Sequence, residues 1–464
     1  MIELETLNDP ERTARTKDAN THIVPPNASA TELTATPQSP QLKKEQRLLG
    51  RIQFATLCAA LFMAGWNDGS SGPLLPRIQE VYHVNFTIVS LIFVCSCSGF
   101  VAGAVSNIWL TSKLGFGKSI VLGALFQVAG YSIQGSAPPF PLFVIGFGLN
   151  GFGMALQNAH ANGFVAALGH ASSNPGQEAP SHPSQTRPSS ITRAPGIAAE
   201  ESALPAASTK ARASGAKMGF LHAAYGLGAF CSPLIATQFA ALPGHRRWAS
   251  HYLVSLGISV VNVILLVLVF RGRPQDDCLR MAGEIVPERS IEQERGLFRR
   301  VLRTSAVHLI ALFVLIYVGV EVTTGGWIVT FIINVRGGGP SAGYISSGFF
   351  GGLMLGRVLL LWVNKKVGER RIIFVYSALA IALELTIWLT PSLIENAVAV
   401  CIVGVVLGPM YPIAMGQAMR VLPRWMLTGS IGWIAGVGQA GSALLPFLTG
   451  TLAQKQGIRS LQPL

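Results

Sequence analysis

Eleven apolar runs, each long enough to cross a lipid bilayer, alternate with short polar segments along the chain. A membrane-spanning helix needs about 20 mostly apolar residues. The runs predict helical spans at 53–79, 87–109, 117–136, 141–168, 216–241, 248–270, 306–334, 342–363, 371–390, 396–419 and 428–452. We therefore predict an all-α polytopic membrane protein of two bundles, with six helices within residues 49–270 and about five within residues 306–464.

Three segments of the chain contain no apolar run of this length. Residues 1–48 are rich in Thr, Asn, Pro and Glu and predict a disordered cytoplasmic tail rather than a signal peptide. Residues 169–214 are rich in Ser, Pro and Ala and predict a disordered insert between spans 4 and 5. This insert is either a regulatory loop or untranslated sequence kept in a gene model. Residues 271–305 form a basic loop between the two bundles.

Composition places the chain in a membrane. Half of the residues are hydrophobic and only 12% are charged, whereas a soluble domain carries about a quarter charged residues. The net charge of +13 would suit a nucleic acid, but the basic residues lie between the apolar runs. We expect an integral membrane protein surrounded by lipid, with no nucleic-acid partner. No disulfide framework, metal-ligand spacing or nucleotide-binding motif is present, so we expect no metal and no cofactor.

Lys and Arg are concentrated on one side of the predicted membrane. They lie before span 1, in the loops after spans 2, 8 and 10, and in the basic loop 271–305. Cytoplasmic loops of membrane proteins carry an excess of Lys and Arg. The pattern therefore predicts a cytoplasmic amino terminus.

An internal repeat relates the two halves. Asp68 in span 1 and Glu321 in span 7 are 253 positions apart. The same shift pairs Gly72 with Gly325, Trp109 with Trp362, Lys113 with Lys366, Gly115 with Gly368 and Lys118 with Arg371. Two related halves, each with a carboxylate in its first helix, are typical of secondary transporters.

This organisation resembles the major facilitator superfamily from Arg51 onward. Four stretches narrow the resemblance: 65–69 (GWNDG), 222–228 (HAAYGLG), 408–412 (GPMYP) and 429–433 (GSIGW). They are similar to a fungal branch of general-substrate facilitators, called bypass-of-stop-codon-like, which is distantly similar to fucose permease-type sugar carriers. The resemblance implies that spans 1, 4, 7 and 10 line a central path through the membrane.

Two features depart from that family. The loop 112–118 lacks the aspartate of the family's signature after span 2, whereas the matching loop 365–371 is closer to the pattern. The chain also ends about a dozen residues after span 11, where the family would begin a twelfth span. We predict gating residues at the cytoplasmic side, namely Lys113, Lys366 and Arg371 in the loops and Arg357 in span 8. Arg357 would otherwise extend to the interface.

The acidic residues within spans are candidates for proton coupling. An ionised carboxylate inside the bilayer costs about 2.5–3.5 kcal/mol, so it persists where it lines a wet cavity, pairs with a cation or carries protons. We predict that Asp68 and Glu321 couple transport to protons. Alternatively, each acid holds helices together by hydrogen bonds or by pairing with Arg357. Glu384 lies in span 9, which is peripheral in the family, and is assigned a structural role.

Span 4 has the highest density of neutral polar residues. Asn150 and Gln157 lie within about 20° of each other around a helix. Amides that face a cavity suit a hydroxylated solute because they both donate and accept hydrogen bonds. We predict that Asn150 and Gln157 bind substrate, with interhelical hydrogen bonding as the alternative. His160 and Asn162, near the cytoplasmic end, are assigned to packing.

Four further residues extend the predicted substrate site. Asn67 adds a hydrogen-bond donor next to Asp68, and the aromatic faces of Trp66, Trp327 and Trp433 would stack on the C–H surface of a sugar. Tryptophans in membrane proteins also serve as interfacial anchors or packing residues, and that alternative stays open for all three.

The sequence predicts a secondary transporter rather than an enzyme, because no pair of ionisable residues has nucleophile–base character. The expected substrate is a small polar solute such as a sugar, moved by alternating access and coupled to protons. Two alternatives remain: efflux of a secondary metabolite or drug-like compound, and a truncated remnant that does not transport. We expect a monomer, in the plasma membrane rather than the vacuole.

Overall fold

The computed structural model describes residues 40–170, 204–284, 297–423 and 426–461. The predicted disorder of residues 1–39 and of 171–203 in the insert lies outside the described residues. The helices are α1 Pro40–Tyr82, α2 Phe86–Val89, α3 Leu91–Gly135, α4 Phe140–His170, α5 Leu204–Ala240, α6 Ser250–Phe270, α7 Gln275–Met281, α8 Leu297–Arg303, α9 Ser305–Arg336, α10 Gly343–Leu359, α11 Leu361–Val367, α12 Glu369–Leu389, α13 Leu393–Leu407, α14 Met410–Val421 and α15 Leu427–Gln456.

The predicted all-α membrane fold is confirmed. Ten helical segments within the described residues are long and apolar enough to cross a membrane, and the bent pair α10–α11 makes an eleventh. Two boundaries differ from the prediction. Helix α1 begins at Pro40, so residues 40–48 of the predicted tail are helical, and α5 begins at Leu204, inside the predicted insert.

The internal repeat is visible in the backbone at the corner after the second crossing of each half. Gly115 breaks α3 into two crossings, with a φ of 76°. Gly368, its counterpart under the 253-residue shift, separates α11 from α12 with a φ of 92°. Residues with a side chain rarely adopt this left-handed conformation, so glycine is needed at both corners.

The repeat also fixes how helices cross within each half. A Cβ on Gly151 of α4 would overlap the backbone oxygen of Ser96 in α3. A Cβ on Gly404 of α13 would overlap the backbone oxygen of Phe349 in α10. Both members of the first pair map onto the second by the same shift of 253 positions. Small residues allow membrane helices to approach this closely.

One end of the bundle, called the basic face below, carries the start of α1 and the loop residues Lys118, Lys365, Lys366 and Arg420. The short helix α7 packs under the first half at this face, where the Gln53 amide donates to the backbone oxygen of Cys278 at 3.1 Å. Burial raises the pKa of the Cys278 thiol to about 11, so it stays a neutral packing group.

The two halves meet at the opposite end. A Cβ on Gly72 of α1 would overlap the backbone oxygen of Gly325 in α9. Phe86 of α2 contacts Trp327 of α9 with ring centroids 6.0 Å apart, and its backbone N–H donates to the Gln454 side chain of α15 at 3.2 Å. These contacts close the space between the halves at that end.

Candidate functional site

A cavity of about 190 Å³ lies between the two halves and reaches toward the basic face. Helices α1, α3, α4 and α5 of the first half and α9, α10, α14 and α15 of the second contribute to its wall. Asp68 and Glu321, the two acids related by the repeat, both line it. They lie close enough to interact electrostatically.

Hydrogen-bond donors hold both carboxylate oxygens of Asp68. The Tyr225 hydroxyl of α5 donates to one oxygen at 2.7 Å, and the Asn67 amide donates to the other at 3.2 Å. Asn67 is itself oriented by the Tyr131 hydroxyl, which donates to the Asn67 oxygen at 3.0 Å. A chain of contacts from α3 and α5 therefore positions the carboxylate of α1 at the cavity wall.

Glu321 is positioned by an ion pair with Arg357. An Arg357 nitrogen lies 4.0 Å from the Glu321 carboxylate, and both side chains are at least 87% buried. The same guanidinium donates to the backbone oxygen of His222 in α5 at 3.4 Å. Arg357 thus pairs with an acid of its own half and contacts the other half, a placement consistent with its predicted gating role and with the pairing alternative for Glu321.

The structure places Asn150 and Gln157 away from the cavity, contrary to the predicted substrate site. Asn150 donates to the Gln134 side chain at 3.0 Å, and Gln157 donates to the Gln127 side chain at 2.7 Å. Both partners lie in α3, and Asn262 of α6 adds a third bond by donating to Gln157 at 3.1 Å. These amides link helices of the first half, because they face α3 rather than the space between the halves.

An adjacent stripe of α4 reaches the cavity instead. Asn158 and Asn162 line it, together with Met154 one turn earlier. The side-chain oxygens of both asparagines lack a hydrogen-bond partner among the described residues. The sequence analysis predicts packing for Asn162 and assigns no role to Asn158. The missed signal was the seven-residue spacing of Gln127 and Gln134 in α3, which matches that of Gln157 and Asn150 in antiparallel α4.

The three predicted tryptophans do not line the cavity. The Trp66 indole donates to the Ser255 hydroxyl at 2.8 Å and stacks on His251, both in α6. Trp327 donates to the backbone oxygen of Pro446 at 3.1 Å and packs where the halves meet. Trp433 contacts the ring of His308 on the second half. In this structure all three pack between helices, and of the residues predicted around the acids only Asn67 reaches the cavity.

The loop residues predicted to gate lie outside the cavity. Lys366 is over the ring of Trp362, 4.9 Å from its centroid, and Lys113 and Arg371 are exposed at the basic face. In the loop 365–371, which matches the family's signature loop, Glu369 pairs with Arg420 at 2.9 Å.

The polar groups of the cavity are mostly neutral. Besides the charged residues, the polar side chains in its lining are Asn67, Ser71, Ser96, Asn158, Asn162, His222, Tyr225, Tyr411, Gln439 and Ser442. Among the charged residues that line it, Asp68 and Glu321 contribute two negative charges when ionised and Arg357 one positive charge, which leaves −1. The cavity therefore offers hydrogen bonds to a polar solute. Its net charge of −1 would be balanced by one additional positive charge.

A sequence model described as Major Facilitator Superfamily matches residues 194–460, more than half of the chain. The chain belongs to this superfamily. The Bypass of stop codon protein 6 of Saccharomyces cerevisiae is 24% identical over 431 residues, which cover 87% of this chain and 77% of that protein.

Solved structures of the superfamily share the fold at low identity. The fucose:proton symporter of E. coli is 16% identical, with a TM-score of 0.56 over 89% of this chain and 94% of that one. A bacterial homologue of the human lysosomal transporter Spinster, in an inward-facing and unoccupied conformation, is 12% identical, with a TM-score of 0.64 over 90% and 84%. A D-xylose–proton symporter is 11% identical, with a TM-score of 0.62 over 88% and 90%. Membership in the superfamily identifies the chain as an integral membrane protein and a secondary transporter.

Proposed function

We propose that this superfamily member moves a small polar solute, such as a sugar, together with protons by alternating access. The observation that carries the proposal is the meeting of Asp68 and Glu321 in one cavity, with one acid from each half. A carboxyl group that is alternately exposed to water and shielded from it can bind and release a proton. The ionised side chains of the cavity carry a net charge of −1, so one bound proton neutralises the cavity when the solute is neutral.

The remaining lining supports a hydroxylated solute. Amide and hydroxyl groups donate and accept hydrogen bonds without demanding charge on the ligand. Asn158 and Asn162 line the cavity and contribute side-chain amides of this kind. Two of the proteins with a similar fold are proton symporters, one for fucose and one for D-xylose.

The predicted orientation indicates to which side of the membrane the cavity opens. If the basic face lies in the cytoplasm, as the distribution of Lys and Arg indicates, the cavity faces inward and the Gly72–Gly325 crossing closes the outer side. A transport cycle must then separate the two halves at this crossing and close them at the basic face.

Uptake into liposomes tests the proposal. The purified chain is reconstituted and given radiolabelled hexoses and polyols, with the outside more acidic than the inside. We expect uptake driven by the pH gradient, and we expect Asp68→Asn to reduce it to the level of protein-free liposomes while exchange of solute without a gradient continues.

Glu384→Gln is the matched control, because it removes the same charge from a side chain outside the cavity and should leave uptake intact. Gradient-driven uptake by Asp68→Asn would overturn the assignment of the proton site. Failure of every hexose and polyol to enter would overturn the solute class.

A further inference from the structure

Helix α1 is longer than one membrane crossing requires. Its 43 residues make a helix of about 65 Å, whereas the apolar core of a bilayer is about 30 Å thick. The predicted span begins at residue 53, so residues 40–52 prolong α1 at the basic face. This segment, called the α1 extension below, is continuous with the helix that carries Asp68.

One side of the α1 extension is packed against α7. Where the extension joins the span, the Gln53 amide donates to the backbone oxygen of Cys278 at 3.1 Å. A Cβ on Gly50 would lie 3.3 Å from the Cβ of Ala282. These contacts hold the extension in place on one side, and its other sides are exposed.

Four basic side chains share one exposed side of the extension, within about 100° of one another around the helix. These residues, called the basic stripe below, are Lys43, Lys44, Arg47 and Arg51. No ion pair of the described residues involves them. Glu45, the single acid of the extension, lies about 100° outside the stripe. The stripe therefore presents positive charge that the described residues do not neutralise.

Exposed apolar side chains lie beside the basic stripe. Leu48 is 58% exposed and Ile52 is 43% exposed, and both fall within about 80° of the edge of the stripe. Exposed apolar side chains that continue a membrane span mark contact with lipid. The surface of the bilayer therefore lies near Leu48. Arg47 and Arg51 then reach the headgroups, because long basic side chains extend from apolar surroundings toward the interface.

The basic stripe is largely absent from the second half. Under the 253-residue shift only Arg47 has a basic counterpart, which is Arg300. The counterpart of Leu48 is Val301, which is 1% exposed and packs in the core of the second half. The stripe is therefore a feature of α1 and does not follow from the fold that the two halves share.

We propose that the basic stripe binds the anionic headgroups of phospholipids in the leaflet at the basic face. Lys and Arg bind phosphate and carboxylate groups through charge-assisted hydrogen bonds. Clusters of about four to eight basic residues next to a membrane span are typical of sites for anionic lipids. The proposal is independent of the proposed transport function.

The neighbouring apolar side chains favour a lipid over a soluble anion. A phospholipid combines an acyl chain with a charged headgroup, and the extension combines Leu48 and Ile52 with the basic stripe in the same order toward the bilayer surface. Lys43 and Lys44 lie about one to two turns farther out than Arg47 and Arg51. They still act on the headgroups, since screening at physiological salt extends over about 8 Å.

Photo-crosslinking in nanodiscs measures the lipid composition beside the stripe. The full chain carries the photo-crosslinker p-benzoylphenylalanine at Leu48, in nanodiscs of phosphatidylcholine with phosphatidylserine as the minor lipid. A control chain carries it at Leu142, which is exposed at the start of α4, close to the Tyr82–Phe140 contact at the opposite end of the bundle. Mass spectrometry measures the ratio of the two lipids attached at each position. Both leaflets have the same composition, so the comparison does not depend on orientation.

We expect the ratio of phosphatidylserine to phosphatidylcholine to be about fivefold higher at Leu48 than at Leu142, the factor for one Lys or Arg at an anionic membrane surface. Replacing every residue of the basic stripe by Gln should lower the ratio at Leu48 to that at Leu142. The matched control neutralises the same number of charges in the loop 365–371 and should leave the ratio at Leu48 unchanged. Its substitutions are Lys365→Gln, Lys366→Gln, Arg370→Gln and Arg371→Gln.

A second anionic lipid tests whether charge is what the stripe recognises. Phosphatidylglycerol in place of phosphatidylserine should be enriched at Leu48 to the same degree. Equal ratios at Leu48 and Leu142, or an enrichment that survives the replacement of the stripe, would overturn the proposal. Enrichment of phosphatidylserine without phosphatidylglycerol would overturn recognition by charge in favour of a site for the serine headgroup.

Discussion

The corner at the basic face is stabilised differently in the two halves. In the first half, Phe116 is only 2% exposed and packs against Phe164 of α4 and Phe270 of α6, with ring centroids 5.3 and 5.1 Å away. In the second half, the matching residue is Glu369, which pairs with Arg420 of α14. A repeated backbone thus constrains the corner glycines but not the interaction that holds each corner.

The largest expected loss of stability tests the close helix crossings that the two halves share. Gly151→Ala and Gly404→Ala should each destabilise the protein by about 2 kcal/mol or more, because the added Cβ meets a backbone oxygen that cannot move aside. Thermal unfolding in detergent measures the loss. Gly163→Ala is the control in α4, since nothing lies within 4 Å of its Cβ position. A large effect in only one half would show that the two crossings are not equivalent.

The two corners should differ in stability. Phe116→Ala removes a buried ring and should cost about 3 kcal/mol. Glu369→Ala removes an ion pair whose partners are 29% and 63% exposed, so solvent screening should limit the loss to under about 1 kcal/mol. The midpoints of thermal unfolding in detergent compare the two variants. Equal losses would contradict the distinction between aromatic and ionic corners.

The smallest expected difference concerns Ser70 of α1 and Thr323 of α9, which are related by the 253-residue shift. Ser70→Ala breaks contacts to His251 and Ser232 and should cost about 1 kcal/mol, a typical value for interhelical hydrogen bonds in membranes. Thr323→Val, its counterpart, should be nearly neutral because the hydroxyl has no partner among the described residues. The same thermal comparison measures both. A marked loss with Thr323→Val would show that its hydroxyl already has a partner.

The fold could be predicted largely from sequence, because apolar runs of this length have few alternatives to membrane-spanning helices. The family resemblance implies that spans 1 and 7 line a central path, and Asp68 and Glu321 of these spans line one cavity. The choice of face on α4 could not be made in the same way. Periodicity shows that Asn150 and Gln157 share a face, but not whether that face meets α3 or the cavity.

The tryptophans illustrate a second limit. Trp66 is adjacent to Asn67 in sequence, yet consecutive helical residues point about 100° apart, so one faces α6 while the other faces the cavity. His251, on which Trp66 stacks, and Phe86, which contacts Trp327, come from distant segments of the chain. Sequence adjacency to an acid was therefore a poor guide to which side chains surround it.

The amide pairs between α3 and α4 have a consequence for how the chain enters the membrane. Gln134 and Asn150 are only 16 positions apart, and Gln127 and Gln157 are 30 apart, so each pair can form once one helical hairpin exists. In the second half the corresponding residues are Ala380, Ile387, Val403 and Met410, all apolar. At these positions α12, α13 and α14 therefore need no polar partner, whereas the amides of α3 and α4 are kept from lipid only when the two helices insert together during biosynthesis.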